Sequence, residues 1–177
     1  MTFKLAFKYL LRLILLALLA ISIYLVNLFF MKPFSIDHFL AKETFLEIID
    51  SPESMTYIGI FDKYNWFTSH ASKLTIPSQK QLDRDKAKAR KILETLRSYD
   101  DENLSSIQRA SKKIAIFDTE NTLLRLETFP FHNYVLNQIG GAHIDMVEFM
   151  TDTHPIRNFT EAEAYIDRVR LFEDVFE

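Results

Sequence analysis

The five histidines are the side chains of this sequence best suited to hold a reactive metal ion. A zinc hydrolase needs two imidazoles and a further ligand that converge on one ion, commonly from histidines four residues apart on a helix. Here even the closest histidines are eleven residues apart; the set is His38, His70, His132, His143 and His154. The spacing predicts no metal site, and it gives no reason to expect a cofactor.

His143 comes nearest to a ligand cluster, because Asp145 and Glu148 would share one face of a short helix with it. Such a trio is more typical of a solvated surface than of a metal centre. The sequence contains no G-x-S-x-G nucleophile elbow, no phosphate-binding P-loop and no G-x-G-x-x-G turn. We therefore predict no catalytic residue, and no enzymatic activity for the chain as it stands.

Two adjacent glycines raise a separate question, since the chain has only three. Gly140 and Gly141 are costly in backbone entropy, which indicates a place where the chain bends or passes close to another segment. Two histidines follow within a short distance, and the second precedes a proline. Gly140, Gly141, His143 and His154 are accordingly candidate turn or cleft positions.

Arg168 is a further candidate for a cleft. In a longer relative its guanidinium could bind the carboxylate of a substrate. Asp167 and Glu163 lie close to it in the sequence, so an ion pair on a helix surface is the simpler expectation.

Residues 60–77 are rich in aromatic side chains and show no clean hydrophobic period. This pattern predicts an ordered loop that packs over helices. Tyr64, Trp66 and Phe67 within the loop form a candidate interaction patch for another protein.

Residues 13–31 contain no charged side chain. As a helix they would span roughly 28 Å, close to the hydrocarbon thickness of a bilayer. The apolar region of a signal peptide is usually shorter and ends in small residues, whereas bulky side chains fill the end of this one. The pattern favours an uncleaved transmembrane anchor over a cleaved signal peptide.

The charges around this segment predict its topology. Lys4, Lys8 and Arg12 precede it and Lys32 follows it, with no acid among residues 1–32. Positive charge is retained in the cytoplasm, so we expect a cytoplasmic basic tail, a single span in a bacterial inner membrane and an extracytoplasmic body. The whole chain has 24 acidic against 21 basic residues, so the body is acidic. An acidic body repels nucleic acid, which leaves the lipid bilayer as the expected partner.

Helix signals recur throughout residues 36–177. Ser35, Ser51, Ser78, Ser105 and Thr160 each precede a helical pattern that they could cap. After Ser105, one helix face gathers large apolar residues: Ile107, Ala110, Ile114, Phe117 and Leu124. The short polar link before Ser105 predicts an antiparallel helix pair. We predict an all-α protein: a basic tail (1–12), a transmembrane helix (13–31) and a helical domain (36–177).

Three short patterns in order connect this domain to a known family. They are "VLNQIGG" after an aromatic–proline segment, then "FMTDTHPI", then "TEAEAYIDRV". The earlier "FLEIIDSPESMTYIGIFDKY" adds a Ser-Pro-Glu turn followed by a glycine and an aromatic–acidic run. Together they resemble the bacterial family called domain of unknown function 885, over about residues 36–177.

The resemblance implies a mostly helical, metallopeptidase-like protein whose zinc motif, His-Glu-x-x-x-Gly-His-His, lies far downstream of the matching part. That motif does not occur in this sequence. The resemblance therefore implies an amino-terminal part that is not catalytically competent alone, as in a truncated reading frame, and whose partner is the remainder of a split protein. The alternative is a stand-alone, membrane-tethered helical module that binds another protein.

Overall fold

A computed structural model of the chain describes residues 2–130 and 140–176. Over these ranges the chain forms helices and connecting segments without a strand, so the all-α prediction is confirmed. His132 and the residues just before Gly140 lie outside the described ranges. The helices are α1 (Thr2–Phe30), α2 (Ile36–Asp50), α3 (Pro52–Ile58), α4 (Asn65–Thr68), α5 (Gln79–Arg97), α6 (Ser106–Thr128), α7 (Ala142–Glu148), α8 (Phe159–Arg170) and α9 (Phe172–Phe176).

The apolar segment forms most of α1. The helix already begins at Thr2, so the basic residues expected to form a tail belong to the same helix. Its part from Phe7 to Phe30 has a mean hydropathy of 2.7, and most of its apolar side chains are exposed rather than packed in a core. By length and composition this helix could cross a membrane.

A hydrogen-bonded junction joins the end of α1 to the rest of the molecule. The Asn27 amide donates to the Lys32 carbonyl at 2.8 Å and accepts the backbone N–H of Phe34 at 3.0 Å. Tyr99, just after α5, donates its hydroxyl to the Pro33 carbonyl at 2.8 Å. The Lys32 ammonium lies 4.3 Å from the centroid of the Tyr99 ring. The segment that leaves α1 is therefore held from both sides.

Next to this junction, α2, α5 and α6 enclose a small hydrophobic core. Its buried members are Ile36, Phe39, Leu96 and Tyr99. Ala115 and Ile116 pack against them from α6. Apolar residues of α2 and α5 thus meet one face of α6.

α5 and α6 form an antiparallel pair, as the polar link predicts. Two ion pairs show the direction, because the earlier residue of α5 meets the later residue of α6. Arg90 contacts Glu127, and Arg97 contacts Glu120 at 2.6 Å.

Most predicted helix starts are confirmed by side-chain caps. The Ser51 hydroxyl accepts the N–H of Ser54 at 3.0 Å, and Gly59 ends α3 with a φ of 70°. Ser105 and Gln108 form a reciprocal capping box at the start of α6.

The predicted start of α8 is wrong. Asn158, rather than Thr160, caps this helix, and its side-chain oxygen accepts the N–H of Glu161 at 3.0 Å. The carboxylate of Glu161 also accepts the N–H of Arg157 at 2.6 Å. Because these bonds start the helix at Phe159, Thr160 lies inside the first turn and cannot act as its cap. The helix also ends earlier than expected, because α8 and α9 are separated at Leu171.

The apolar face of α6 lies on the outside of the α5–α6 pair. Ile107, Ile114, Phe117 and Leu124 are 77%, 68%, 69% and 60% exposed. The opposite face of α6 buries Lys112, whose ammonium donates to the Tyr99 carbonyl and to Asp101, both at 2.6 Å.

The aromatic stretch of residues 60–77 is ordered by short helical turns. Two 3₁₀ turns, Asp62–Tyr64 and His70–Ser72, flank α4. The side-chain oxygen of Asn65 accepts the N–H of Ala71 at 3.0 Å and closes the segment on itself.

Candidate functional site

Arg168 lies at the centre of a buried polar cluster on α8, with 0% of its surface exposed. Its guanidinium donates hydrogen bonds to five acceptors from separate parts of the chain. They are the carbonyls of Pro52 (3.3 Å), His70 (2.8 Å) and Lys73 (2.8 Å), the hydroxyl of Thr56 (3.0 Å) and Nδ1 of His154 (2.9 Å). One side chain thereby joins α3, the turn at residues 70–73, the loop after α7, and α8. We call Arg168 and these five acceptors the arginine clamp.

The acceptors of the arginine clamp are neutral groups. The ζ carbon of Arg168 also lies 4.8 Å from the centroid of the Phe149 ring, a cation–π geometry. Burial lowers the pKa of Arg168 to about 10, and the carboxylate of Glu53 acts in the opposite direction. Because that pKa remains far above neutrality, the clamp holds a buried cation by aligned dipoles.

The expected surface ion pair of Arg168 does not form. Asp167 pairs instead with Arg170, at 2.9 Å. Ala164 and Arg168 are four residues apart and both are buried, so they define the inward face of α8. Arg168 therefore points into the body while its neighbours point to solvent.

His154, in the loop after α7, is 5% exposed. Its Nδ1 accepts from Arg168, so the hydrogen of the neutral ring is on Nε2, which faces the Glu161 carbonyl at 3.4 Å. Burial is the largest cause that lowers the pKa of His154, and the Arg168 charge adds to it against the hydrogen bond to Glu161. Protonation of Nδ1 would place two donors, both charged, against each other.

His70 is a second buried imidazole, 1% exposed. The Thr68 hydroxyl lies 2.7 Å from its Nδ1, while its Nε2 faces Asp62 at 3.7 Å, too far for a hydrogen bond. Asp62 accepts from Arg157 at 2.5 Å. Burial lowers the pKa of His70, and the Asp62 carboxylate opposes this shift.

The described contacts of this site tie segments of the chain together. The hydrogen bonds described for Arg168 go to groups of the chain itself, and both ring nitrogens of His154 face protein atoms. Within residues 2–130 and 140–176, no group of three or more metal-ligating side chains comes together.

The two glycines of the pair differ in whether their position requires a glycine. Gly141 precedes α7 with a φ of 148°, a backbone conformation that side-chain-bearing residues rarely adopt. Among the described residues, a Cβ added to Gly140 would meet nothing within 4 Å. The bend therefore requires glycine at Gly141.

The candidate cleft residues do not share one site. Arg168 and His154 are in direct contact, whereas His143 is exposed on α7. A shallow groove of about 270 Å³ runs beside α7, lined mainly by apolar side chains such as Tyr57, Met146 and Phe149.

The aromatic patch lies at the surface. Tyr64, Trp66 and Phe67 are 57%, 82% and 79% exposed. The rings of Trp66 and Phe67 are 5.9 Å apart in an edge-to-face arrangement, and Ile60, earlier in the same stretch of sequence, is 65% exposed.

Sequence reasoning missed several partners of Arg168. Thr56, His70 and Lys73 lie 95 to 112 residues away from it along the chain. Two of the three contribute only a backbone carbonyl, which any residue type would offer. The one signal in the sequence was a histidine, His70, within an aromatic stretch.

Over residues 2–130 and 140–176 the chain is an all-α protein, and one helix of this part could cross a membrane by its length and composition. Residues 52–177 match the family described as "Bacterial protein of unknown function (DUF885)". The match covers most of the chain, and the chain belongs to this family, as its motifs predict. The match begins at residue 52 rather than near residue 36. Comparisons with curated proteins and with solved structures gave no match.

Proposed function

We propose that this chain is a membrane-anchored helical scaffold that forms the amino-terminal part of a metallopeptidase-like protein and has no catalytic activity alone. In this proposal α1 crosses the bilayer and the remaining helices hold one wall of a cleft. The metal ligands come from a further polypeptide segment, the remainder of a split protein.

The junction between α1 and the body is the observation that carries this proposal. The Asn27 side chain bonds the Lys32 carbonyl and the Phe34 N–H, and the Tyr99 hydroxyl donates to the carbonyl of Pro33 between them. A signal peptide that is cleaved after export needs no such contacts with the mature body. The junction therefore supports an uncleaved anchor that belongs to the folded protein.

The arginine clamp supports the scaffold role. It engages His154 and the backbone of His70 in hydrogen bonds that stabilise the body. Side chains that are buried and committed to such bonds are poorly placed to bind a substrate or exchange protons with one.

The topology in this proposal follows from charge. Lys4, Lys8 and Arg12 lie before the apolar part of α1, so the amino terminus is cytoplasmic and the body extracytoplasmic at a bacterial inner membrane.

Protease accessibility in bacterial cells tests the anchor and its direction. The full chain carries one epitope at its amino terminus and another at its carboxyl terminus. In spheroplasts, added protease should remove the carboxyl-terminal epitope and leave the amino-terminal one, and alkaline carbonate should not extract the chain from membranes. Release by carbonate, or loss of the amino-terminal epitope during export, would refute the anchor.

Peptide hydrolysis tests the absence of catalysis. The purified full chain, incubated with zinc and a mixed peptide library, should produce no cleavage that a chelator suppresses. Chelator-sensitive cleavage by this polypeptide alone would overturn the scaffold proposal.

A stand-alone interaction module is the second candidate function, favoured by the exposed aromatic patch. Trp66 and Phe67 are 82% and 79% exposed, and aromatic side chains of this kind often anchor protein interfaces. A photo-reactive amino acid at position 66 should cross-link a protein in bacterial membranes, whereas the same group at the exposed Lys80 should not. No cross-link at position 66 would count against this candidate.

A further inference from the structure

The outer face of α6 carries a stripe of five apolar residues and one asparagine that no other described segment covers. Its residues recur at alternating intervals of three and four. They are Ile107, Ala110, Ile114, Phe117, Asn121 and Leu124, and all six are exposed. We call this set the α6 seam; along the helix it extends over about 26 Å.

This spacing is that of the a and d positions in a two-stranded coiled coil. A helix of a globular body usually turns such a stripe toward the core. On α6 the opposite face is already occupied, since Lys112, Ala115 and Ile116 lie against α5 and α2. The α6 seam is therefore available to a helix from outside the body.

The charges beside the α6 seam are complementary to those of a second copy of this chain. With the seam as a and d positions, Lys113 and Glu120 occupy g positions, and Asp118 and Arg125 occupy e positions. In a parallel pair, each g residue meets the e residue five positions later on the other helix. Lys113 then faces Asp118 of the second copy, and Glu120 faces Arg125, so both pairs have opposite signs.

Two details are compatible with this arrangement. Asn121 occupies an a position, where facing asparagines fix the register and favour two strands. Glu120 already contacts Arg97 on α5 in an exposed ion pair, and a carboxylate has acceptor sites for a second arginine.

We propose that the chain forms a parallel homodimer through the α6 seam. The contacts at the start of α6 agree with the parallel direction. Gln108, in the first turn of α6, donates to Asp37 at 2.7 Å, and Asp37 lies in the first turn of α2, just after the exit of α1. Two copies anchored in one bilayer, a step that rests on the proposed membrane anchor, both have the start of α6 nearest the membrane.

Anchoring also supplies part of the affinity. The α6 seam is short for an isolated coiled coil, since it contains only six a and d positions. Confinement to a bilayer raises the effective concentration of one copy around another without adding a contact. A seam of this length then suffices for association at the membrane.

Cysteine cross-linking tests the dimer, because the chain has no cysteine of its own. Ala110→Cys and Leu124→Cys place one thiol near each end of the α6 seam, and Ala87→Cys places a matched, exposed thiol on α5. Each full-length variant is reconstituted in phosphatidylcholine vesicles at low protein density and mildly oxidised. Ala110→Cys and Leu124→Cys should each give a disulfide-linked dimer, because a parallel pair brings identical residues together, and Ala87→Cys should remain monomeric.

Other outcomes would overturn the proposal. Self-cross-linking no greater than that of Ala87→Cys would show that something other than a second copy covers the α6 seam. Cross-links only between Ala110→Cys and Leu124→Cys chains in a mixture would show an antiparallel pair. Ile114→Glu added to Leu124→Cys should cause loss of the dimer band while helical content stays unchanged, and a persistent dimer would contradict association through the α6 seam.

Vesicle flotation of the same samples separates this proposal from the anchor. A chain that floats with the vesicles but does not cross-link contradicts the dimer and leaves the anchor intact. A chain that cross-links without floating contradicts the anchor and leaves the dimer intact.

Discussion

At the scale of single residues, Arg168 holds the body together through acceptors that are mostly backbone carbonyls. A lysine at this position has three donors on one nitrogen and could not reach acceptors on several sides, whereas a planar guanidinium can. Removing Arg168 would leave buried acceptors without a donor, and each such group costs about 1–3 kcal/mol. The stability of α3, α8 and the turn at residues 70–73 is therefore coupled through one side chain.

Arg168→Met should lower the free energy of unfolding by about 3 kcal/mol, because the clamp acceptors lose their donor while the apolar volume is roughly kept. Urea unfolding of the full chain in detergent, followed by circular dichroism, measures the change. Arg170→Met is the matched control, since Arg170 is a surface residue of the same helix with a side chain 73% exposed. Equal effects of the two substitutions would contradict the clamp.

The two buried histidines make stability depend on pH. Burial lowers the pKa values of both His70 and His154, so the unfolded chain takes up protons at higher pH than the folded chain. The free energy of unfolding therefore has its full value above the ordinary histidine pKa of about 6.5. It decreases as pH falls below that value, by up to about 1.4 kcal/mol per pH unit for each histidine.

His154→Gln should reduce this pH dependence, since a glutamine amide can accept from Arg168 and donate to the Glu161 carbonyl without titrating. Melting temperatures measured at about pH 7.5 and 5.5 should differ less for this variant than for the parent chain. His143→Gln, at an exposed position on α7, should retain the parental difference. An unchanged pH difference in His154→Gln would show that His154 does not titrate as argued.

Sequence patterns predicted the residue-level features that depend on local geometry. Gly141 adopts the backbone conformation that the glycine pair indicates, and Ser51 and Ser105 cap their helices as expected. The role of Arg168 was not predictable, because its acceptors are distant in sequence and mostly backbone. The nearby Asp167 indicated a surface pair that the i, i+4 burial of Ala164 and Arg168 excludes.

At the scale of elements, α6 shows how tertiary contacts determine which face of a helix meets the core. Its more apolar face was evident from the sequence, but which face meets the core was not. Tyr99 and Asp101 supply acceptors for the ammonium of Lys112, so a lysine is buried toward α5 while Ile114 and Phe117 remain exposed. A buried charge is accepted there because it is paired with the Asp101 carboxylate and hydrogen-bonded to the Tyr99 carbonyl.

The junction after α1 makes a prediction at the same scale. Asn27→Ala removes the side chain that bonds the Lys32 carbonyl and the Phe34 N–H, so the connection between α1 and the body should loosen. Loss of a hydrogen bond worth about 1 kcal/mol should speed amide exchange at Phe34 roughly fivefold. Hydrogen–deuterium exchange of the full chain in detergent measures this rate.

Ser22→Ala is the control for the junction. Ser22 also bonds a carbonyl, that of Leu18, but within α1 itself, at 2.8 Å. Its removal should leave exchange at Phe34 unchanged. If both substitutions accelerate exchange equally, the effect belongs to α1 and not to the junction.

At the scale of the whole molecule, two connections determine how the parts are arranged. The junction attaches α1 to the α2–α5–α6 core, and the arginine clamp attaches α8 to α3 and its neighbouring turn. Fold class and family followed from the sequence, because helix caps and family motifs are local. The clamp and the outward face of α6 required the structure, because both depend on segments far apart in the chain.

A charge at the centre of α1 tests whether the whole molecule depends on this helix for membrane attachment. Leu19 lies near the middle of the apolar part and is 57% exposed. Leu19→Arg should weaken insertion by about 3 kcal/mol, the typical cost of arginine at the centre of a spanning helix. Membrane fractions washed with alkaline carbonate should then retain less of this variant than of the parent chain, whereas Leu19→Ile should be retained like the parent. Retention of Leu19→Arg equal to that of the parent would contradict the placement of Leu19 at the centre of a lipid-exposed span.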